Sequence, residues 1–148
     1  MMDEKMKAMM RELKFRAFWK QDDTSLLTNK MVGPFTLGQY AYDQDGEVGA
    51  NNFPSDEDIE TGKALLMQFT GLNDKNGKEI FEWDIFRTLM FERRYVIRWS
   101  EILARYVGDV FEKGECIARG LLDCNKGIMQ DCEVLGNIYE HPELLRNP

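Results

Sequence analysis

Apolar and polar residues alternate with a period of two over residues 13–20. This period, with aromatic side chains among the apolar residues, predicts a strand that is buried on one face. Before it, four methionines within residues 1–11 share one helical face, which predicts a short helix, with a frayed extension as an equal alternative. After it, a second short strand is expected over 25–28, and Gly33-Pro34 is expected to break it.

Residues 35–62 carry the weakest secondary-structure signal, because glycine, asparagine and proline recur through them. Between Asp43 and Glu60 there are seven acids and no basic residue, a composition typical of a solvated loop. Ser55 followed three residues later by Asp58 matches a capping box, so a helical turn is expected there before Gly62 stops it.

Strand signals become dense from residue 63 onward. Short apolar or alternating stretches predict strands over 63–70, 79–89, 95–99, 104–111 and 132–139. The connection over 71–77 ends in Asn-Gly, which is a strong hairpin signal, and Pro142 begins a final helical turn.

Together these elements predict a mainly β fold, of the β-rich α+β class. Short strands with close turns and no long helix favour a small barrel or roll. We divide the chain into an N-terminal extension over 1–62, with a short helix, one or two strands and the acidic loop, and a barrel over 63–148.

Composition narrows the range of functions. The chain has 148 residues and a net charge of -7, so it favours one domain and argues against general phosphate binding, although a local basic face remains compatible. No apolar run approaches the ~20 residues that a membrane helix needs, and the first residues lack a signal peptide's apolar stretch. A cytoplasmic protein with no membrane association is therefore expected.

No cofactor or metal ion is expected. Cys116, Cys124 and Cys132 are eight residues apart, which is not a zinc spacing, and small buried thiols are favoured over a site shared with His141. The segment 71–78 has one residue too many for a phosphate loop, and the segment 43–54 lacks the glycine and glutamate that a calcium loop needs.

Two carboxylates raise the question of catalysis. Glu82 and Asp84 are two residues apart, so on a regular strand they share one face and could act as an acid–base pair. The alternative is that they are solvated or bonded to an arginine or a turn. This structural alternative is favoured over catalysis, so no catalytic residue is predicted.

One segment has a composition suited to nucleic acid. From Arg87 to Arg105 the chain holds five arginines against two acids, with aromatic residues interleaved. Arginines that follow phosphates and rings that stack on bases form a single-stranded nucleic-acid platform. The alternative is that the arginines pair with acids while the aromatic rings face the core. The predicted nucleic-acid-binding residues are Arg93, Arg94, Arg98, Trp99 and Arg105.

Three blocks resemble one family. Residues 66–86, LMQFTGLNDKNGKEIFEWDIF, are similar to the central motif of the YopX family of phage and prophage proteins, and residues 11–19 and 132–145 resemble its start and its end. Trp83 departs from the family's usual glycine, so a glycine-only backbone is not expected there. The motif residues, carried over as markers of structure, are Gly71, Leu72, Asp74, Gly77, Ile80, Glu82, Asp84, Gly136 and Asn137.

The resemblance implies an SH3-like barrel over 64–139, an origin in a mobile element and the bacterial host cytoplasm as location. It supplies no reaction. We therefore expect a non-enzymatic accessory protein that acts through protein contacts as a homo-oligomer, with nucleic-acid binding as the alternative. The methionine face of residues 1–11 and the apolar segment 121–129 are the expected adhesive surfaces.

Overall fold

The computed structural model describes residue 4 and residues 13–20, 29–36, 39, 53–90 and 92–146. In these ranges the strands, in chain order, are β1 Lys14–Trp19, β2 Lys30–Thr36, β3 Ala64–Asn73, β4 Glu79–Phe81, β5 Asp84–Thr88, β6 Arg94–Ser100, β7 Arg105–Glu112, β8 Glu115–Asp123 and β9 Cys132–Asn137. The helices are α1 Asp56–Glu60, α2 Lys126–Met129 and a 3-10 helix over Pro142–Leu145.

The strands form two antiparallel sheets. The first has the order β2-β1-β3-β4 and the second the order β8-β7-β6-β5-β9. The predicted mainly β fold is confirmed. The SH3-like barrel over 64–139 is not confirmed, because β3 and β4 join β1 in the first sheet and the described strands close no barrel.

Most of the predicted strands are found, with shifted ends. The alternation over 13–20 becomes β1, and its partner β3 pairs Leu65 with Phe18 across the sheet. Strands from both sides of residue 62 therefore share a sheet, and the two-part division of the chain stays a prediction. The predicted helix over 1–11 and strand over 25–28 lie outside the described residues, apart from Glu4.

The expected break at Gly33-Pro34 is wrong, because β2 runs through both residues. As the outer strand of its sheet, β2 can include a proline, which has no amide hydrogen to donate. The pairing with β1 shifts register between Phe15 and Ala17, and Gly33 fits that bulge with φ of 115°. A Cβ there would lie 2.9 Å from the Phe15 carbonyl oxygen, so the site needs glycine.

Bulges and a tight turn explain the other differences. β3 continues through Asn73, although a connection is predicted from residue 71, because a bulge at Gly71, with φ of 84°, absorbs the extra residues. The single stretch predicted over 79–89 is divided into β4 and β5. No strand is predicted for β8, whose bulged register against β7 and positive-φ Gly120 disrupt a regular period.

The predicted helical turns are confirmed. Ser55 Oγ accepts a hydrogen bond from the Asp58 amide at 3.1 Å, and Asp58 Oδ2 accepts one from the Ser55 amide at 3.1 Å. This is the predicted capping box of α1, and Gly62 follows with φ of 79°. The acidic residues 43–52 lie outside the described residues.

Two clusters of buried side chains stabilise the sheets. The larger one lies against the second sheet, and its largest members include Phe86, Tyr95 and Met129. The smaller one lies against the first sheet, with Trp83 and Tyr139 packed at its edge; its buried members are Phe18, Met67, Phe69 and Phe81.

Candidate functional site

Four arginines of segment 87–106, namely Arg87, Arg93, Arg98 and Arg105, lie beside acidic side chains. Arg98 Nε donates to Asp109 Oδ2 at 2.6 Å, and this hydrogen bond raises the pKa of Arg98. Asp109 is itself 8% exposed and accepts the Gly120 amide at 2.7 Å, so the pair also holds the bulge of β8. Arg98 therefore has a structural role in the second sheet.

The other ion pairs of this segment are more exposed. The Nη2 atom of Arg87 lies 2.7 Å from Glu133, while the Nε atoms of Arg93 and Arg105 lie 3.7 Å from Glu112 and Asp123. Arg94 donates to the carbonyl oxygen of Glu92 at 3.4 Å. Binding of nucleic-acid phosphates would require Arg87, Arg93 and Arg105 to release their acidic partners.

The aromatic residues of the segment are divided between core and surface. Tyr95 is 4% exposed and stacks on Phe86 with ring centroids 5.3 Å apart. Trp99 is 41% exposed and meets the edge of Tyr106 at 5.0 Å. Phe91 lies outside the described residues. Among the described aromatic residues of this segment, Trp99 is therefore the one whose ring is exposed to solvent.

The carboxylates Glu82 and Asp84 do not lie on one regular strand, because β4 ends at Phe81 and β5 begins at Asp84. The favoured alternative, bonding to an arginine or a turn, describes them instead. The chain turns between β4 and β5, and each carboxylate is bonded separately. Glu82 Oε1 accepts from the Gln68 amide at 2.7 Å. Asp84 is 1% exposed, and it accepts from Arg16 at 2.5 Å and from the Phe81 amide at 2.9 Å. Burial raises the pKa of Asp84, against the opposing effect of Arg16.

This turn places Trp83 at φ of 69°, in the left-handed region that favours glycine. The expectation of an ordinary backbone at this departure from the family is therefore wrong. Two hydrogen bonds hold the turn: the Trp83 amide donates to the Ile97 carbonyl at 2.8 Å, and the Trp83 carbonyl accepts from Ile138 at 3.1 Å. Together with the packed indole, they offset a conformational cost of about 1–2 kcal/mol.

Asp74 organises the hairpin after β3. Its Oδ1 atom accepts from the amides of Asn76 and Lys78, both at 2.9 Å, as expected of an acidic turn residue. Its Oδ2 atom accepts from the Val134 amide of β9 at 3.0 Å. The motif aspartate therefore connects the hairpin to the second sheet. Gly77 has the expected positive φ, at 78°, and Ile80 is fully buried.

Gly136 and Asn137 end β9 and lead into the closing turn of the motif. Asn137 Oδ1 accepts from the amides of Tyr139 and Glu140, and the Asn137 amide donates to His141 Nδ1 at 3.2 Å. The imidazole of His141 lies directly over Gly136, where a Cβ would be 2.5 Å from Nδ1. A glycine is required here because of this close approach of a side chain.

We expect Gly136→Ala to lower the free energy of unfolding by about 1–3 kcal/mol, because the new methyl group displaces His141. Denaturant unfolding measures this change. The double variant Gly136→Ala/His141→Ala should recover part of the loss, and Gly127→Ala in α2, where the nearest side-chain atom is 3.4 Å away, should have little effect. An unchanged stability of Gly136→Ala would contradict the role assigned to the imidazole.

The cysteines are not gathered with His141. Cys116 is exposed, and Cys124 and Cys132 are buried in the larger core cluster. Burial raises the pKa of the Cys132 thiol to about 11 and that of Cys124 further. Among the described residues, no three His, Cys, Asp or Glu side chains are placed to hold a metal ion.

An apolar groove lies at one end of the second sheet. It has a volume of about 410 Å³ and is lined by residues 88–90, Tyr95, Leu122, Ile128 and Asp131. Leu89 and Met90 are 64% and 83% exposed. Leu122 and Ile128 belong to the predicted adhesive segment 121–129. Leu89 and Met90 were not predicted to form a contact surface, although they belong to a short apolar run in the sequence.

A family model described as YopX protein matches residues 14–146. Among solved structures, the crystal structure of protein EF1440 from Enterococcus faecalis is similar, with a TM-score of 0.54 and 23% sequence identity over 90% of this chain and 97% of that chain. This likeness extends over nearly the whole fold. No match was found among curated proteins. No helix in the described part of the chain is long and apolar enough to cross a membrane.

Proposed function

Because the chain belongs to the YopX family, we propose that it is a phage or prophage accessory protein that acts without catalysis, through protein–protein contacts, in the bacterial cytoplasm. The contacts include self-association into a homo-oligomer. The apolar groove at residues 88–90, Tyr95, Leu122 and Ile128 is the proposed contact surface.

The exposed side chains of the groove carry this proposal. Water contacts most of Met90 and Leu89, and covering apolar surface contributes about 25 cal/mol for each Å². A lining that is mostly apolar and includes one charged residue, Asp131, has the composition of a protein contact site.

The bonding of the motif carboxylates supports a role without catalysis. Asp74 accepts three backbone amides, and Asp84 accepts Arg16 and the Phe81 amide. Carboxylates that are fully engaged in this way stabilise the fold, whereas a general base needs a lone pair within reach of a substrate proton.

We expect Met90→Gln to weaken self-association at least tenfold, about 1.4 kcal/mol, because it replaces an exposed apolar contact with a polar group of similar length. Sedimentation velocity over a concentration series measures the association. The matched control is Ile117→Gln on β8, which is 51% exposed and lies outside the groove. Equal weakening by both variants, or none by Met90→Gln, would contradict the proposed surface.

Nucleic-acid binding by segment 87–106 is the second proposal, favoured by the exposed ring of Trp99. Fluorescence anisotropy of labelled single-stranded DNA, duplex DNA and RNA at low and physiological salt separates it from the first. Charge reversal at Arg93 and Arg105 is the suitable variant, since Arg98 is bonded to a buried aspartate. Binding that falls steeply with salt and is lost on this reversal would favour the second proposal.

A further inference from the structure

We infer that copies of this chain associate head to tail, with the apolar turn between β6 and β7 of one copy seated in the apolar groove of the next. This inference rests on the proposed self-association and specifies its geometry. The occupant of the groove is a second copy of the chain, and the part that enters it is the turn over residues 101–104.

The turn is an exposed apolar projection. Ile102 is 96% exposed and Leu103 is 47% exposed, at the tip of the β6–β7 hairpin. The projection has a defined shape: the Leu103 amide donates to Ser100 Oγ at 3.2 Å, and Ala104 adopts φ of 51°. A fixed turn loses little conformational entropy when it is covered, which favours its use as a contact.

The turn and the groove lie at opposite ends of β6. Tyr95 lines the groove near the start of the strand, and Ser100 ends the strand at the turn. Five residue steps separate them, about 17 Å at the rise of an antiparallel strand. The short hairpin turn therefore does not reach the groove of its own chain, so its contact with a groove joins two copies through different surfaces.

The charges beside the two surfaces are complementary. Glu101 precedes the apolar pair of the turn and Arg105 follows it. At the groove, Asp131 lies in the lining, and Arg87 lies with Glu92 in an adjoining hollow of about 230 Å³ that shares residues 88–90. A turn seated in the groove can place Glu101 toward Arg87 and Arg105 toward Asp131. Arg87 and Arg105 then exchange their exposed pairs with Glu133 and Asp123 for pairs between copies, which sets orientation more than affinity.

The contact is small, because few side chains enter it. Interfaces below about 1,200 Å² are typical of weak and transient association. Contacts between different surfaces also continue from copy to copy unless they close into a ring. The average mass of the wild-type protein should therefore rise with concentration, and a fixed two-fold dimer is not expected.

Two variants test this geometry. Ile102→Gln/Leu103→Gln removes the apolar turn and leaves the groove intact, while Leu89→Gln/Met90→Gln changes the groove and leaves the turn intact. Each variant alone should be monomeric in sedimentation velocity at concentrations where the wild type associates. An equal mixture should form dimers and nothing larger, because one intact turn and one intact groove remain. All four residues are exposed, so folding should be unchanged, which circular dichroism checks.

The control is Ile117→Gln, which should associate as the wild type does. If the wild type associates and the groove variant does not, but the turn variant associates normally, the head-to-tail geometry is wrong and the groove keeps its proposed function. Failure of the two monomeric variants to form dimers when mixed would also overturn the geometry. A wild-type protein that stays monomeric at every concentration would overturn both the geometry and the proposed self-association.

Discussion

Replacing Arg16 with methionine should lower the free energy of unfolding by about 3–5 kcal/mol, because it leaves the buried carboxylate of Asp84 without its cation. The Arg16 and Asp84 side chains are 12% and 1% exposed, and they connect β1 of the first sheet to β5 of the second. Methionine preserves much of the apolar contact that the arginine makes over the Phe81 ring. Urea unfolding followed by tryptophan fluorescence measures the change.

The loss should depend on pH. Burial already raises the pKa of Asp84 above its ordinary value, and removing Arg16 removes an influence that lowers it. A carboxyl group whose pKa is raised by folding favours the folded state below its unfolded pKa and loses that contribution as pH rises through the folded pKa. The deficit of Arg16→Met should therefore narrow between pH 8 and pH 5.

Two controls separate the buried pair from a general effect of charge. Arg87→Met removes a pair that is far more exposed, with side-chain exposures of 46% and 26%, and should cost about 1 kcal/mol or less. Arg16→Met/Asp84→Asn removes both charges and should recover much of the loss. A deficit of Arg16→Met below about 1 kcal/mol, or one that is equal at both pH values, would contradict this account.

The parts of the fold that the sequence predicts well are those determined by local chemistry. The period of β1, the capping box of Ser55 and the turn residues Asp74 and Gly77 each act within a few positions of the chain. Their patterns are therefore complete in a short window of sequence. The resemblance to the YopX family adds the order of these elements and is confirmed by the match over residues 14–146.

The parts that the sequence predicts poorly depend on contacts between distant residues. Asp84 appears paired with Glu82 in the sequence, but Arg16, 68 positions away, determines its environment. Trp83 takes a backbone conformation typical of glycine because hydrogen bonds to Ile97 and Ile138 hold the turn. No pattern around residues 82–84 indicates that Arg16, Ile97 or Ile138 will be their neighbours.

The candidate surfaces also depend on contacts between distant residues, which the sequence does not reveal. The local composition of segment 87–106, with its five arginines, predicts a basic surface. The acids beside them come from other elements, such as Asp109 in β7 and Glu133 in β9. The groove also combines segments that are remote in sequence, so only its wall in segment 121–129 could be predicted.

The second large effect is expected for the motif aspartate Asp74. Its carboxylate is 5% exposed and accepts three amides, and two of these lie in its own hairpin while the third is the amide of Val134. Hydrogen bonds to a charged group contribute about 1.5–3 kcal/mol each, and the buried amides lose their acceptor when the carboxylate is removed. Asp74→Asn keeps one carbonyl oxygen and should have an intermediate effect.

Asp74→Ala should therefore lower the free energy of unfolding by about 3–5 kcal/mol, measured by urea unfolding. The same change should accelerate hydrogen exchange at the amide of Val134, because β9 loses its connection to the hairpin while its pairing with β5 persists. The matched control is Asn76→Ala in the same turn, where an exposed side chain is removed and the effect should be about 0.5 kcal/mol or less. If Asp74→Ala and Asn76→Ala were equally stable, or if exchange at Val134 were unchanged, the carboxylate would not be the link between the two sheets that its three hydrogen bonds indicate.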